Sequence, residues 1–193
     1  MYSDKESLYK ALQRDAEHAG IIRDSLIRKC FYNIVQPNYC YRYIRLLREK
    51  DYLLSKNTII SRIYSKLIEV RLHRLGARLG FYIPKDVFGP GLYIPHSGSV
   101  TVNPNSRIGK NCQINNNVVI GQNKGKAPTI GDNVYIGPGA VISGDIIIAD
   151  NVWIGANAVV TKSVTEPNVL VGGIPAKIIS KREHNWVEEF SRL

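Results

Sequence analysis

From Ile108 onward a branched aliphatic residue recurs every six positions: Ile108, Ile114 and Ile120, then Ile130, Ile136, Ile142, Ile148, Ile154 and Val160. The period breaks once, between Ile120 and Ile130. The next residue is usually glycine (Gly109, Gly121, Gly131, Gly137, Gly155), and the slot four positions on is small or β-branched, as at Cys112, Val118, Val134, Ala140, Val152 and Ala158. A period of six matches neither the 3.6-residue turn of a helix nor the two-residue alternation of a simple strand. It suits a chain wound into short flat strands and corners, where each face delivers one aliphatic side chain to a shared interior.

The pattern predicts a parallel β-helix of triangular section, three hexapeptides to a coil, with coils stacked about 4.8 Å apart. Corner residues such as Asn111, Asn117, Asn133, Asn151 and Asn157 tolerate the backbone angles that tight corners demand. Straight backward counting from Ile108 reaches Val102 and then His96, which would bury an imidazole among aliphatic groups. A two-residue slip at Asn103-Pro104 instead selects Val100, Ile94 and Phe88 and leaves His96 on the outer surface. Four coils result: Phe88 to Val100, Ile108 to Ile120, Ile130 to Ile142, and Ile148 to Val160. The polar, glycine-rich stretch from Gly121 to Thr129 is four residues longer than the spacing needs, so it is expected to loop out and carry binding contacts.

Residues 1–80 are of another kind, poor in glycine and rich in Leu, Ile, Tyr and Arg. Ser3 with Glu6 reads as a capping box for a first helix. Further helices are expected over Ile22 to Val35, Pro37 to Leu54, and from Asn57 as N-cap to Gly80 as stop. The last places Ile60, Ile63, Tyr64, Leu67, Ile68, Leu72, Leu75 and Leu79 along one broad face. Sixteen Lys and Arg against eight Asp and Glu before Phe81 put +8 of the chain's +10 net charge in this part. That charge reads as a solvated face or as attraction to an anionic polysaccharide or membrane. Nucleic acid is disfavoured because no recognition motif accompanies it. Residues 179–193 are expected to form a short helical tail. Nothing at the N-terminus resembles a leader and no apolar run approaches spanning length, so the cytoplasm is the expected location. Cys30, Cys40 and Cys112 lack metal-type spacing and read as reduced packing residues.

His96 is the one histidine of four within the repeat. Its segment, Gly89-Pro90-Gly91-Leu92-Tyr93-Ile94-Pro95-His96-Ser97-Gly98, resembles the catalytic-histidine segment of serine acetyltransferases and of related sugar O-acetyltransferases from capsule and exopolysaccharide loci. The resemblance to hexapeptide-repeat acyltransferases covers about half the chain. It implies a left-handed coil, an α-helical N-terminal domain before the β-helix domain of 81–178, a homotrimer, and acetyl-CoA as donor without a metal. Gly137-Pro138, Gly155-Ala156, Lys162 and Gly172-Gly173-Ile174-Pro175-Ala176-Lys177 resemble the family's donor groove, with Gly173, Ile174, Pro175 and Lys177 in its strongest segment. His96 would serve as general base, since imidazole titrates near neutrality. A single histidine in the repeat argues against a zinc site, which needs about three imidazoles.

Three positions depart from the serine acetyltransferase pattern. Phe81 stands where that family has an orienting aspartate, Pro95 where an acidic residue precedes the histidine, and Lys126-Ala127-Pro128 where an Arg-His-Pro loop binds the amino acid. On these grounds the sequence reading favours a sugar hydroxyl of a polysaccharide or its precursor as acceptor, with peripheral contact to a membrane-bound glycan precursor. Serine O-acetylation in cysteine biosynthesis and a non-catalytic trimeric scaffold are its alternatives.

Overall fold

The computed structural model describes residues 2, 4–21 and 37–191. Among the described residues, three long helices precede a parallel β-solenoid of about five turns: α1 (Lys5–His18), α2 (Tyr39–Ser55) and α3 (Ile59–Leu79). The helix expected over Ile22 to Val35, and Cys30 within it, lie outside the described residues.

Local chemistry sets each helix start, in two cases one residue from the position expected. Asp4, not Ser3, caps α1: its side chain accepts from the Ser7 amide at 2.7 Å, and Ser7 supplies the reciprocal partner instead of Glu6. Thr58, not Asn57, caps α3, because Asn57 takes a left-handed backbone (φ 50°) while the Thr58 hydroxyl accepts from Ser61. Asn38 caps α2, and Gly80, left-handed at φ 80°, ends α3.

The solenoid has three parallel faces. The first runs β1 (Phe81–Tyr82), β2 (Val100–Val102), β5 (Val118–Gly121), β8 (Val141–Ser143) and β11 (Val159–Val160). The second stacks β4 (Gln113–Ile114), β7 (Tyr135–Ile136), β10 (Trp153–Ile154) and β12 (Val169–Gly173), and β13 (Ala176–Lys181) folds back antiparallel on β12. The third stacks β3 (Arg107–Ile108), β6 (Thr129–Ile130) and β9 (Ile147–Ile148). Ile108, Ile114, Ile120, Ile130, Ile136, Ile142, Ile148, Ile154 and Val160 are all buried, and Cys112, Val118, Val134, Ala140, Val152 and Ala158 fill the slots between them. Each such aliphatic removed from water contributes about 1.5–3 kcal/mol, so the column is the principal stabilising element. Bridges Phe88 to Ile108 and Tyr93 to Gln113 add a coil before β3, and Val164 and β12 add one above β11.

The register corrects the expected slip. Val102 pairs with Ile120, and Val100 pairs with Val118, the smaller slot of the next coil. Counting from Ile108 is therefore straight back to Val102, and the two extra residues lie between Ile94 and Val102, in the corner that holds His96. His96 stays outside the column, as expected.

Side-chain ladders close the corners. Asn111, Asn133, Asn151 and Asn168 all have φ between 54° and 60°, and each amide donates to the next at 2.6, 2.9 and 3.0 Å. The ladder stops at Gly91, whose φ of 86° and position beneath Asn111 leave no room for a side chain: a Cβ there would lie 2.4 Å from Asn111 Oδ1. Arg14 of α1 takes that Oδ1 at 2.6 Å instead.

That contact belongs to a larger junction. The lower rim of the first coil exposes backbone groups with no coil beneath them. Asp15 Oδ1 accepts from the amides of Gly91 and Leu92 at 2.7 and 2.9 Å. Arg48 donates to the carbonyls of Phe88 and Gly89, both at 2.6 Å, and to both Asp15 oxygens at 2.9 and 3.2 Å. Both side chains are fully buried. His18 Nδ1 lies 2.9 Å from the Gly91 carbonyl and therefore carries the proton on that nitrogen. From the far end of the chain, Trp186 of α4 (Trp186–Ser191) donates to the Asn111 carbonyl at 2.8 Å, meets His18 edge-on and stacks on Tyr93. After Lys181 the tail is thus a six-residue helix docked on the same junction.

Helix α3 packs only in part through the expected apolar face: Leu72 and Leu79 are buried as expected, but the rest of the packed side is small residues. Ser61, Ser65, Leu72, Gly76 and Leu79 are buried, whereas Ile60, Ile63, Tyr64 and Leu67 are exposed. Small residues let the helix approach closely: a Cβ at Gly76 would lie 2.7 Å from the Phe81 carbonyl and 3.1 Å from the Tyr43 ring.

Two outcomes test the junction. Arg48→Met leaves the Asp15 carboxylate buried without its counter-ion and two rim carbonyls without donors, so it should destabilise the fold by about 3–5 kcal/mol. Denaturant unfolding measures this, and a loss below about 1 kcal/mol would show that the rim is satisfied another way. Burial, above all, lowers the His18 pKa below its ordinary value. The unfolded chain therefore takes up a proton below about pH 6.5 that the folded chain resists, and stability falls with pH through that window. Asp51, raised to about 6 by burial and the nearby Asp86, contributes in the opposite sense between about pH 4 and 6. Comparing melts of wild type and His18→Gln at pH 7.5 and 5.5 isolates the histidine, and the variant should show the smaller loss on acidification.

Candidate active site

Each coil turns from the second face to the first at a corner that begins two residues after the buried isoleucine of the second face. In the first coil this corner holds His96, two after Ile94. In the coils above it holds Asn116, Pro138 and Ala156, and Gly173 follows Val171 at the same offset. The candidate base and most of the candidate donor residues therefore line one vertical edge of the prism: His96 at the bottom, then Gly137-Pro138, then Gly155-Ala156, then the Gly173-Ile174-Pro175 turn between β12 and β13. At about 4.8 Å per coil the four steps from His96 to that turn span about 19 Å. An extended pantetheine arm has comparable reach.

His96 is exposed, and among the described residues it makes no hydrogen bond within the chain. Its corner is nonetheless fixed. The Gly98 amide donates to the Leu79 carbonyl and the Val100 amide to the Gly80 carbonyl, both at 2.9 Å, so the end of α3 holds the extra-long corner from below. A Cβ at Gly98 would lie 2.8 Å from the Asn116 Cβ, which leaves the corner no freedom to collapse toward the next coil.

Other candidate residues fall elsewhere. Lys177 is on β13, next to the Ile174-Pro175 turn, and Ile174 is 75% exposed, consistent with an open ledge at the upper end of the edge. Lys162 follows Val160 by two residues and sits on the next corner round, between the first and third faces, in one column with Gln122 and Gly144. The 121–129 insertion leaves from that corner too. It is a tight hairpin, with Asn123 and Lys126 exchanging backbone bonds of 2.9 and 3.1 Å around left-handed Lys124 and Gly125. Lys126 Nζ anchors it to Asp145 at 2.6 Å. The His96 edge and the insertion edge are thus opposite margins of the first face, and one chain does not bring them together.

Phe81 is part of the core: it is buried, pairs with Val100 and meets the Tyr43 ring edge-on at 5.2 Å. No carboxylate from that position reaches His96. Sequence reasoning missed Asp15 and Arg48, which fix the first coil and hence the His96 corner. Nothing in a lone Asp or Arg on a helix marks it as a partner of a strand rim 40 or more residues away. Among the described residues, no group of three or more His, Cys, Asp or Glu is placed to hold a metal ion.

Residues 127–162 match the family model described as bacterial transferase hexapeptide (six repeats). A serine acetyltransferase of Staphylococcus xylosus is 35% identical over 140 residues, 70% of this chain and 59% of that protein. One from Mycobacterium tuberculosis is 36% identical over 104 residues, 52% of this chain and 45% of its own length. The chain thus spans about half the length of these curated relatives. Among solved structures, serine acetyltransferase from Brucella abortus superposes with a TM-score of 0.72 at 26% identity, covering 92% of this chain and 70% of that one. The soybean serine acetyltransferase apoenzyme gives 0.71 at 26% identity, covering 91% and 70%.

These findings overturn the expected sugar acceptor. Every relative and structure named above is a serine acetyltransferase, and the likeness to polysaccharide-locus enzymes finds no support among them. The departures at Phe81, Pro95 and Ala127 mark divergence from the serine acetyltransferase pattern and do not identify a different acceptor. The chain carries hexapeptide repeats, and it is similar to serine acetyltransferases in sequence over part of their length and in fold.

Proposed function

We propose that the protein is an acetyl-CoA-dependent O-acetyltransferase that acetylates the hydroxyl of serine, with His96 as general base. The observation that carries this reading is the single edge that runs from His96 past Pro138 and Ala156 to the Gly173-Ile174-Pro175 turn, in a chain whose relatives are serine acetyltransferases. His96 accepts the hydroxyl proton as the oxygen attacks the thioester carbonyl. The tetrahedral intermediate then expels the sulfur, which leaves as the thiol once it takes a proton from the imidazolium. Small side chains along the edge let the pantetheine arm lie against the coils. Lys177 meets a phosphate of the nucleotide end, and Lys162, on the next corner, meets one bound to a neighbouring copy.

The working form in this reading is a homotrimer. The outward positions of the first face, Tyr82, Thr101, Val119, Val141 and Val159, stand in register and are mostly apolar. That flat apolar strip lies between the His96 edge and the insertion edge. A neighbouring copy packed on it would bring its Lys126-Ala127-Pro128 hairpin to this chain's His96. Ala127 offers serine no polar anchor, which weakens ground-state binding and raises KM, while Phe81 supplies no carboxylate to orient His96, which lowers kcat.

Two measurements test the reading. With L-serine and acetyl-CoA, wild type should turn over with a serine KM at or above about 1 mM, and His96→Ala should lose about 10²- to 10⁴-fold in rate with unchanged melting temperature. Near-normal turnover in the variant removes His96 from catalysis, and absence of serine acetylation in wild type removes the acceptor. Lys177→Glu should weaken CoA binding by about 1.5–3 kcal/mol in calorimetry, and unchanged affinity would leave the lysine a solvated charge.

A further inference from the structure

Helix α3 carries its largest apolar side chains on the side turned away from the protein. Its packed side is Ser61, Ser65, Leu72, Gly76 and Leu79. At 100° per residue, Ile59, Ile60, Ile63, Tyr64, Leu67 and Val70 gather on the opposite side, and they are 48–78% exposed. A continuous stripe of six such residues is not the scatter of single apolar groups that ordinary surfaces carry.

The charges around the stripe are of one sign. Arg62 and Lys66 flank it along one margin, Arg71 borders the other, and Arg74 and Arg78 lie in line with the stripe itself, beyond its last residue Val70 toward the C-terminal end of the helix. Glu69 is the one acidic residue of α3, and Lys50 and Lys66 occupy it at 2.9 and 2.8 Å. The stripe therefore requires a partner that is apolar at its centre and anionic at its margins. A second copy of this helix supplies the apolar part but sets cations against cations with no free acid between them. A nucleic acid supplies the anions but no apolar receiver. A bilayer surface containing anionic lipid supplies both, acyl chains at the headgroup boundary and negative headgroups above them.

We propose that α3 docks the protein on an anionic membrane surface, lying in the plane of the interface with Ile59, Ile60, Ile63, Tyr64, Leu67 and Val70 inserted, Arg62, Lys66 and Arg71 at headgroup level beside them, and Arg74 reaching headgroups where the stripe ends. The attachment is peripheral: no described helix is long and apolar enough to cross a membrane. It is independent of which hydroxyl the solenoid acetylates.

Vesicle sedimentation of the purified full chain tests this, with phosphatidylcholine vesicles containing about 30% phosphatidylserine set against pure phosphatidylcholine. The protein should pellet with the first and stay in solution with the second, and raising salt from about 0.1 to 0.5 M should release it. The double variant Ile63→Ser/Leu67→Ser should bind the anionic vesicles at least about tenfold more weakly. Because both residues are exposed, its melting temperature and its mass by light scattering should match wild type. Arg71→Glu/Arg74→Glu should lose binding comparably. Failure of wild type to bind anionic vesicles overturns the proposal, as does undiminished binding by either double variant. A fall in the mass of Ile63→Ser/Leu67→Ser also overturns it, by assigning the stripe to a contact between copies.

Discussion

A solenoid of stacked coils satisfies its own backbone everywhere except at its two ends, and the buried pair of Asp15 with Arg48 closes one of them. The pair is unusual in that each partner spends hydrogen bonds on the rim as well as on the other. Asp15 takes two amides, and Arg48 gives to two carbonyls. Buried ion pairs often cost more in desolvation than they return. Here the alternative is worse, since without them an open strand rim would face an apolar helix surface. The pair also ties α1 and α2 to the first coil, because Asp15 comes from one helix, Arg48 from the other, and both bond the same rim.

Function in the proposed reading inherits this constraint. His96 belongs to that first coil, and its corner is two residues longer than the corners above it. A longer corner would ordinarily be free to wander. The end of α3 prevents this by accepting from Gly98 and Val100, while α3 is held in place by α2 and by the close approach at Gly76. The helical part therefore positions the base without contributing a side chain to it. From His96 upward the repeat takes over, and the same offset from a buried isoleucine that sets each corner aligns Pro138, Ala156 and Gly173 along one edge.

Packing α3 through Ser61, Ser65 and Gly76 has a second consequence. A helix that spends its small residues on close contact must turn its large ones outward. Its stripe of isoleucines, leucine and tyrosine faces solvent for that reason, amid charges of one sign.

The cost of burying an imidazole, not the period, sent His96 outward, since straight counting puts it in the column. The six-residue period by itself determined the solenoid and its buried column, because burial of one aliphatic group per face is a local rule repeated at every coil. Ile108 to Val160 followed it without exception. The candidate edge was half legible: the glycine and proline motifs were visible, but their alignment above His96 depends on strand register. Only the structure showed that the extra two residues sit in the His96 corner rather than at Asn103-Pro104. The tertiary structure alone decided which face of α3 is buried, since helical periodicity finds the apolar side but not the side that small residues allow to approach a neighbour. It alone decided the roles of Asp15, Arg48 and Trp186, which act on backbone groups far away in sequence. A side chain that caps a distant rim leaves no periodic trace, because its partner is a carbonyl or an amide that every residue possesses.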